Sequence, residues 1–218
     1  MYEILTSLQQ TFEGYPRTRL IAVTKMRSLD QLQALYQLGQ RAFGENHALE
    51  MREKALTMPS DSEWHFIGHL QTNKVKIIAP HVHTIHSVDS LHLIDEIQKR
   101  AASASRVIRI LLQIHIAQEK HKYGIKPETL NDFMHQMHID NYPNILITGL
   151  MGMATQTDNQ EQIRKEFRLL YNLFQQIKNN LRNNDSHFCE ISMGMSNDYL
   201  IAMEEGSTMV RIGSLLFE

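Results

Sequence analysis

Lys25 ends the apolar run "LIAVTK" (20–25), directly before a helical pattern begins. A strand normally ends in turn residues, so an amine here is either a solvated strand end or a nucleophile held over a pocket. A lysine kept partly out of water near another cation has a lowered pKa, and its free amine can condense with a carbonyl carbon. Arg211 lies inside the apolar segment "TMVRIG" (208–213). Period-two alternation turns its side chain away from the face occupied by Val210 and Ile212. If those branched neighbours pack against helices, the guanidinium points to the other face, where an unpaired charge is costly. Its partner there is either a carboxylate, such as Glu190 or Glu45, or a heteroatom of a ligand. The stretches "SMGMS" (192–196) and "GS" (213–214) each supply glycine, hydroxyls and a helix start. Such residues hold phosphate when their backbone amides converge on an anion, and otherwise serve as plain turns.

These residues need a frame, and the chain offers a repetitive one. Eight β-like runs are expected at 19–25, 42–46, 64–68, 84–88, 107–116, 144–151, 187–193 and 208–213, with helical patterns between them. Leu29, Leu32, Leu35 and Leu38 recur at near-helical spacing, as do Leu91, Ile94 and Ile97, and Phe167, Leu170, Leu173 and Phe174. Asp30, Ser90 and Asp158 lie where helix caps are expected. "MYEILTSLQQTFEGYP" reads as an amphipathic helix closed by Gly14 and Pro16. Eight parallel strands with crossover helices make a (β/α)8 TIM barrel, an α/β fold that usually takes about 250 residues. The chain has 218 residues and no linker composition, so residues 1–218 are expected to form one barrel domain. A doubly wound open sheet has the same periodicity and stays open at this point. A barrel places its site at the C-terminal ends of the strands, which here carry Lys25, Asn46, Gly68, Ser87 and the glycine-rich stretches. Lysine amine, phosphate cradle and an arginine facing an aromatic nitrogen together describe a pyridoxal 5′-phosphate (PLP) site.

Composition narrows the classes. A net charge of -2 with no basic block argues against nucleic acid or an anionic membrane surface as partner. No run reaches the length of a membrane span, and the N-terminus lacks the pattern of a secretory leader. The single cysteine, Cys189, sits in an apolar stretch. It is expected to be a core thiol, with a cytoplasmic location for the chain. "HVHTIH" (81–86) invites a zinc reading, but no cysteine or acid stands at ligand spacing, so a loop entering the fourth strand is expected and no metal site. The twelve methionines are read as core filling, with Met151, Met153, Met193 and Met195 at or beneath the barrel mouth.

The stretches "LIAVTK", "FGENHALEMREKA" (43–55), "WHFIGHLQTNKVK" (64–76), "IHSVDS" (85–90), "GLMGMA" (149–154) and "ISMGMSNDYLIAMEEGSTMVRIGS" (191–214) closely resemble the YggS/PROSC family of PLP homeostasis proteins. The resemblance covers nearly the whole chain in the family's order. It implies a barrel like the N-terminal domain of alanine racemase, PLP fold type III. It also implies that Lys25 carries PLP as an internal aldimine, with Asn46 beside the ring and Arg211 facing the pyridine nitrogen. By the same match Ser192, the backbone at Met193 and Gly194, Gly213 and Ser214 hold the phosphate. His65, Gly68, Gln71 and Asn73 belong to the signature without an assigned contact. Three departures stand out. Ser214 replaces a usual threonine, "AQEKHKYGIKPE" (117–128) replaces the family's loop after strand five, and the chain stops at "LLFE", which implies a looser closing helix.

PLP binding does not by itself imply turnover. An arginine at the pyridine nitrogen keeps that nitrogen unprotonated and the ring a weak electron sink. Alanine racemase, with the same arrangement, adds a tyrosine from a second domain of a partner subunit, and eight strand–helix units leave no residues for one. Tyr123 and Tyr199 are the nearest local substitutes. The resemblance thus implies a protein that buffers and delivers PLP to PLP-dependent apo-enzymes, as a monomer and without turnover of its own. The alternatives are a low-activity amino-acid racemase and a phosphate-binding aldolase using Lys25.

Overall fold

The strand candidates fold into strands because each is apolar on at least one face and is flanked by turn residues or a helix start. The computed structural model describes residues 2–119 and 121–217. In it α1 (Tyr2–Glu13) precedes β1 (Arg19–Val23), α2 (Leu29–Gln37), β2 (Ala42–Glu45), α3 (Ala48–Thr57) and β3 (Glu63–Phe66). Then come α4 (Thr72–Ile78), β4 (Thr84–Val88), α5 (Leu91–Ser103), β5 (Ile108–Ile114), α6 (Leu130–Gln136) and β6 (Ile145–Gly152). The chain finishes with α7 (Gln160–Asn180), β7 (Glu190–Met195), α8 (Tyr199–Glu204), β8 (Met209–Ile212) and a 3-10 turn at Ser214–Phe217. The strands form a closed barrel in chain order, every neighbouring pair parallel, with β8 returning to β1. The open-sheet alternative is thereby excluded.

Alternation along the strands separates two cores. Residues such as Leu20, Ala22, Phe43, Trp64, Val210 and Ile212 pack outward against the helices in one large cluster. Ile21, Ala42, Leu111, Met151 and Met209 fill the barrel interior. The base of the barrel is charged: Arg19 meets Glu63 at 3.1 Å and Glu190 at 3.6 Å, and Arg109 meets Glu190 at 3.7 Å. No helix among the described residues is long and apolar enough to cross a membrane.

Several local expectations change. The cap of α2 is Ser28 in a reciprocal box with Gln31, not Asp30, and that of α7 is Asn159, not Asp158; Ser90 caps α5 as expected. The seventh strand starts at Glu190 rather than His187. Asp185 accepts the amide of His187 and holds the chain in a turn, while Phe188 stacks on Phe174 with ring centroids 5.0 Å apart. That turn leaves Cys189 exposed, so it is not a core thiol. The closing turn is seated rather than loose: Leu216 is fully buried and the Arg27 guanidinium lies 4.5 Å from the centre of the Phe217 ring.

Candidate functional site

At the end of β1 the chain makes a tight turn. Thr24 accepts the amide of Arg27 at 3.0 Å, which places Lys25 and Met26 at the corners. Met26 takes φ 59°, a left-handed conformation unusual for a side chain with a Cβ. A buried polar cluster holds both flanks. The Lys54 amine, from α3, donates to the Thr24 carbonyl (2.7 Å), Glu45 (2.8 Å) and Glu50 (2.7 Å). The Thr24 hydroxyl donates to Glu45 at 2.6 Å, and the Met26 amide donates to Glu50 at 2.6 Å. Burial pushes the Glu45 carboxyl up, opposed by its bonds to Lys54 and Thr24. The backbone on either side of Lys25 is thus fixed, whereas the Lys25 side chain is exposed. The partial desolvation expected of it is not present.

Arg211 points into the barrel, as alternation requires, and is 4% exposed. Neither expected carboxylate reaches it. Glu190 is held at the barrel base by Arg19 and Arg109, and Glu45 faces α3 and Lys54. The guanidinium instead donates to the Ser192 hydroxyl at 2.5 Å and the Gly152 carbonyl at 3.1 Å, both neutral. Burial lowers its pKa to about 10, with Asp198 opposing, so it stays cationic at neutral pH. Ser192 is fully buried and also bonds His86 Nδ1 at 2.9 Å, and His86 Nε2 bonds His65 Nδ1 at 2.9 Å. Arginine can only donate, so the assignment that uses every donor runs from Arg211 through the Ser192 hydroxyl to His86 and on to His65. Burial, the leading cause for both rings, lowers His65 to about 4 and His86 well below its ordinary value, so both are neutral.

The residues expected at the phosphate divide by depth. Ser192, Met193 and Gly194 are buried, and the Ser192 hydroxyl is already taken by Arg211 and His86. Met193 faces the helices, and a Cβ on Gly194 would lie 2.6 Å from that of Ala202, so this glycine lets α8 close on β7. Gly213 and Ser214 are the accessible members, and Ser196, which is not among those expected, is accessible beside them. The Gly213 amide donates to the Ser196 hydroxyl at 3.4 Å, which brings the β7 and β8 loops together. Asp198 closes the β7 turn through the Met195 amide.

On the β2 side, Asn46 has a buried Oδ1 with no hydrogen-bond partner, an unmet acceptor at the strand end. Gly68 is needed beside it, since a Cβ there would lie 2.6 Å from the Asn46 carbonyl oxygen. Gln71 and Asn73 are exposed at the start of α4. His69 and Tyr123, from the loops after β3 and β5, stack with centroids 3.7 Å apart. Met151 lies in the barrel interior and Met195 is exposed. Sequence reasoning did not single out His86, Ser196 or Lys54. Strand parity in "TIHSV" gives His86 the inward face of Thr84. The other two acquire a role only through elements distant in sequence.

Fold and site together define a class: a parallel barrel with an amine at the end of the first strand, an inward cation without a carboxylate partner, and adjoining loops after the last two strands. The family model for the alanine racemase N-terminal domain matches residues 5–218. A pyridoxal phosphate homeostasis protein from Aquifex aeolicus is 38% identical over 98% of this chain and 94% of its own. That from Haemophilus influenzae is 35% identical over 99% of this chain and 90% of its own. The chain belongs to the pyridoxal phosphate homeostasis protein family. PipY of Synechococcus elongatus, solved without PLP, superposes with a TM-score of 0.91 at 30% identity over 100% of this chain and 99% of its own. The PLP-bound form of PipY gives 0.88. An alanine racemase from Streptomyces lavendulae, at 17% identity and a TM-score of 0.70, shares the fold over 94% of this chain and 56% of its own.

Proposed function

We propose that this protein binds PLP, holds it covalently through Lys25, and serves as a buffer that releases it to PLP-dependent apo-enzymes, the chain acting as one barrel unit. The observation that carries the reading is Arg211: a buried, donor-only cation bonded to two neutral acceptors. Such a group suits an uncharged ring nitrogen that accepts a hydrogen bond. The unmet Asn46 Oδ1 suits a donor on the same ligand. When bound, PLP supplies an electrophilic aldehyde and an electron-withdrawing ring. Lys25 would supply the amine that condenses with that aldehyde, with loss of water. Ser196, Gly213 and Ser214 are proposed to grip the phosphate. Ser192 acts one layer below by fixing Arg211. Because Arg211 only donates, it would leave a ring nitrogen that faced it unprotonated, which would weaken electron withdrawal by the ring.

Exposure of Lys25 also favours storage over turnover. Active sites that close over their reacting groups expel water, whereas a linkage at an exposed lysine stays open to the hydrolysis that releases the cofactor. A racemase reading keeps one supporting feature. Tyr123 follows β5, four strands round the barrel from β1, and could act on the opposite face. The deciding experiment mixes PLP-loaded protein with an apo-enzyme and follows recovery of that enzyme's activity. Transfer that exceeds the contribution of free PLP, and that Lys25→Ala protein fails to give, is expected. No transfer, together with loss of optical rotation from single amino-acid enantiomers, would move the assignment to the racemase.

A further inference from the structure

We infer a second site, at the opposite end of the barrel from Lys25, in which Glu63, His65 and His83 bind a divalent cation of the zinc type. One ligand atom from each of the three lies within 4.8 Å of the others. The His65 Nε2 to Glu63 Oε2 separation is 3.6 Å, close to the edge of a tetrahedron whose ligands sit about 2.1 Å from a central zinc. His65 is fully buried, yet its Nε2 has no hydrogen-bond partner and is aimed at this cluster. The other nitrogen of each ring is fixed from behind. His65 Nδ1 bonds His86 at 2.9 Å, and His83 Nδ1 bonds the Thr84 hydroxyl at 2.8 Å. A ligating histidine characteristically has its second nitrogen held in this way. For His65, ligation through Nε2 requires the tautomer in which Nδ1 carries the proton and donates to His86. His86 Nδ1 in turn donates to the Ser192 hydroxyl, the reverse of the relay that runs from Arg211.

Two imidazoles and one carboxylate leave a fourth position for water and suit zinc rather than calcium or magnesium, which take oxygen ligands. Glu63 and His83 are partly exposed, so an ion can enter from solvent. Arg19 pairs with Glu63 at 3.1 Å and also reaches Glu190 at 3.6 Å. It therefore has a second carboxylate to keep when a cation takes the first. Loaded, the site would tie the starts of β3 and β4 together. The acid and the buried histidine come from β3, 20 and 18 residues before His83 in the chain, which is why local spacing around "HVHTIH" hides the constellation.

The test uses the full chain stripped with chelator and titrated calorimetrically with Zn2+, in parallel with His83→Ala and Glu63→Gln, both at partly exposed positions. One ion per chain is expected, with affinity falling at least tenfold in each variant. Co2+ should give the visible bands of a four-coordinate ion in the parent and lose them in both variants. If one variant fails to fold, the other carries the comparison. No uptake, or uptake unchanged by the substitutions, overturns the site; the latter would put the ion on other histidines among the twelve.

Discussion

Individual side chains split cleanly into those whose role follows from parity and those that depend on depth. Arg211 belongs to the first group: one apolar stretch sufficed to turn it inward, and it is inward. Its partner was not legible, because Ser192, Gly152 and Asp198 come from two other strand ends. Ser192 and Ser196 belong to the second group. Four residues apart in one motif, one hydroxyl is buried against Arg211 and His86 while the other sits beside the Gly213 amide. Ser196→Ala should therefore weaken PLP binding by about 1.5–3 kcal/mol, the worth of a hydrogen bond to a charged group, without lowering the melting temperature. Ser192→Ala should lower both, since it strips Arg211 of an acceptor. Equal effects on binding and stability in a titration and a melt of the two variants would contradict this division. The buried imidazoles give a pH dependence. His65, faced by Glu63, Arg19, His83 and His86, is lowered by burial to about 4, and burial also lowers His86, faced by Arg211 and His65, well below its ordinary value. The unfolded chain binds protons near the ordinary value, so below it the unfolded state holds more protons and folding weakens. The contribution is complete above the unfolded pKa and lost as pH falls from about 6.5 towards 4. For His65 it amounts to roughly 3 kcal/mol over that window. A urea midpoint that is flat from pH 7 to pH 5, measured in chelator, would contradict it.

Among elements, strands were easier to locate than their ends. Short β-like runs alternating with helical patterns marked all eight, but β7 began late because Asp185 prolongs the preceding turn. The caps of α2 and α7 each lay within two residues of the expected position because short polar side chains crowd helix starts. What pattern could not reveal is the support under the Lys25 turn, since Glu45, Glu50 and Lys54 look like ordinary helix and strand charges until packed. Lys54→Met should cost about 3–5 kcal/mol by leaving Glu45 buried without its cation, read as a lower melting temperature and slower reaction of Lys25 with PLP. That cost should shrink at low pH, where Glu45 takes a proton; a cost independent of pH would count against the pairing. Gly194→Ala should destabilise by about 1–3 kcal/mol. The new methyl meets Ala202 at 2.6 Å and the residue holds φ 95°. A chemical melt matching the parent would show that β7 and α8 have room to part.

For the whole molecule, alternation of strand and helix was enough to foresee a barrel but not to close it; closure is seen in the β8–β1 ladder, where Ile21 faces Arg211. That ladder sets the first and last strands side by side, with Lys25 four residues beyond the partner of Arg211 and toward the same C-terminal end of the barrel. The exposed state of Lys25 was not foreseen, because exposure depends on how far the surrounding loops rise. The central claim is that this amine bonds the cofactor. Protein incubated with PLP, reduced with borohydride and digested should carry the added pyridoxyl phosphate mass on the peptide containing Lys25, and on no other lysine at comparable occupancy. A label spread over surface lysines, or undiminished overall labelling in Lys25→Ala, would contradict the account.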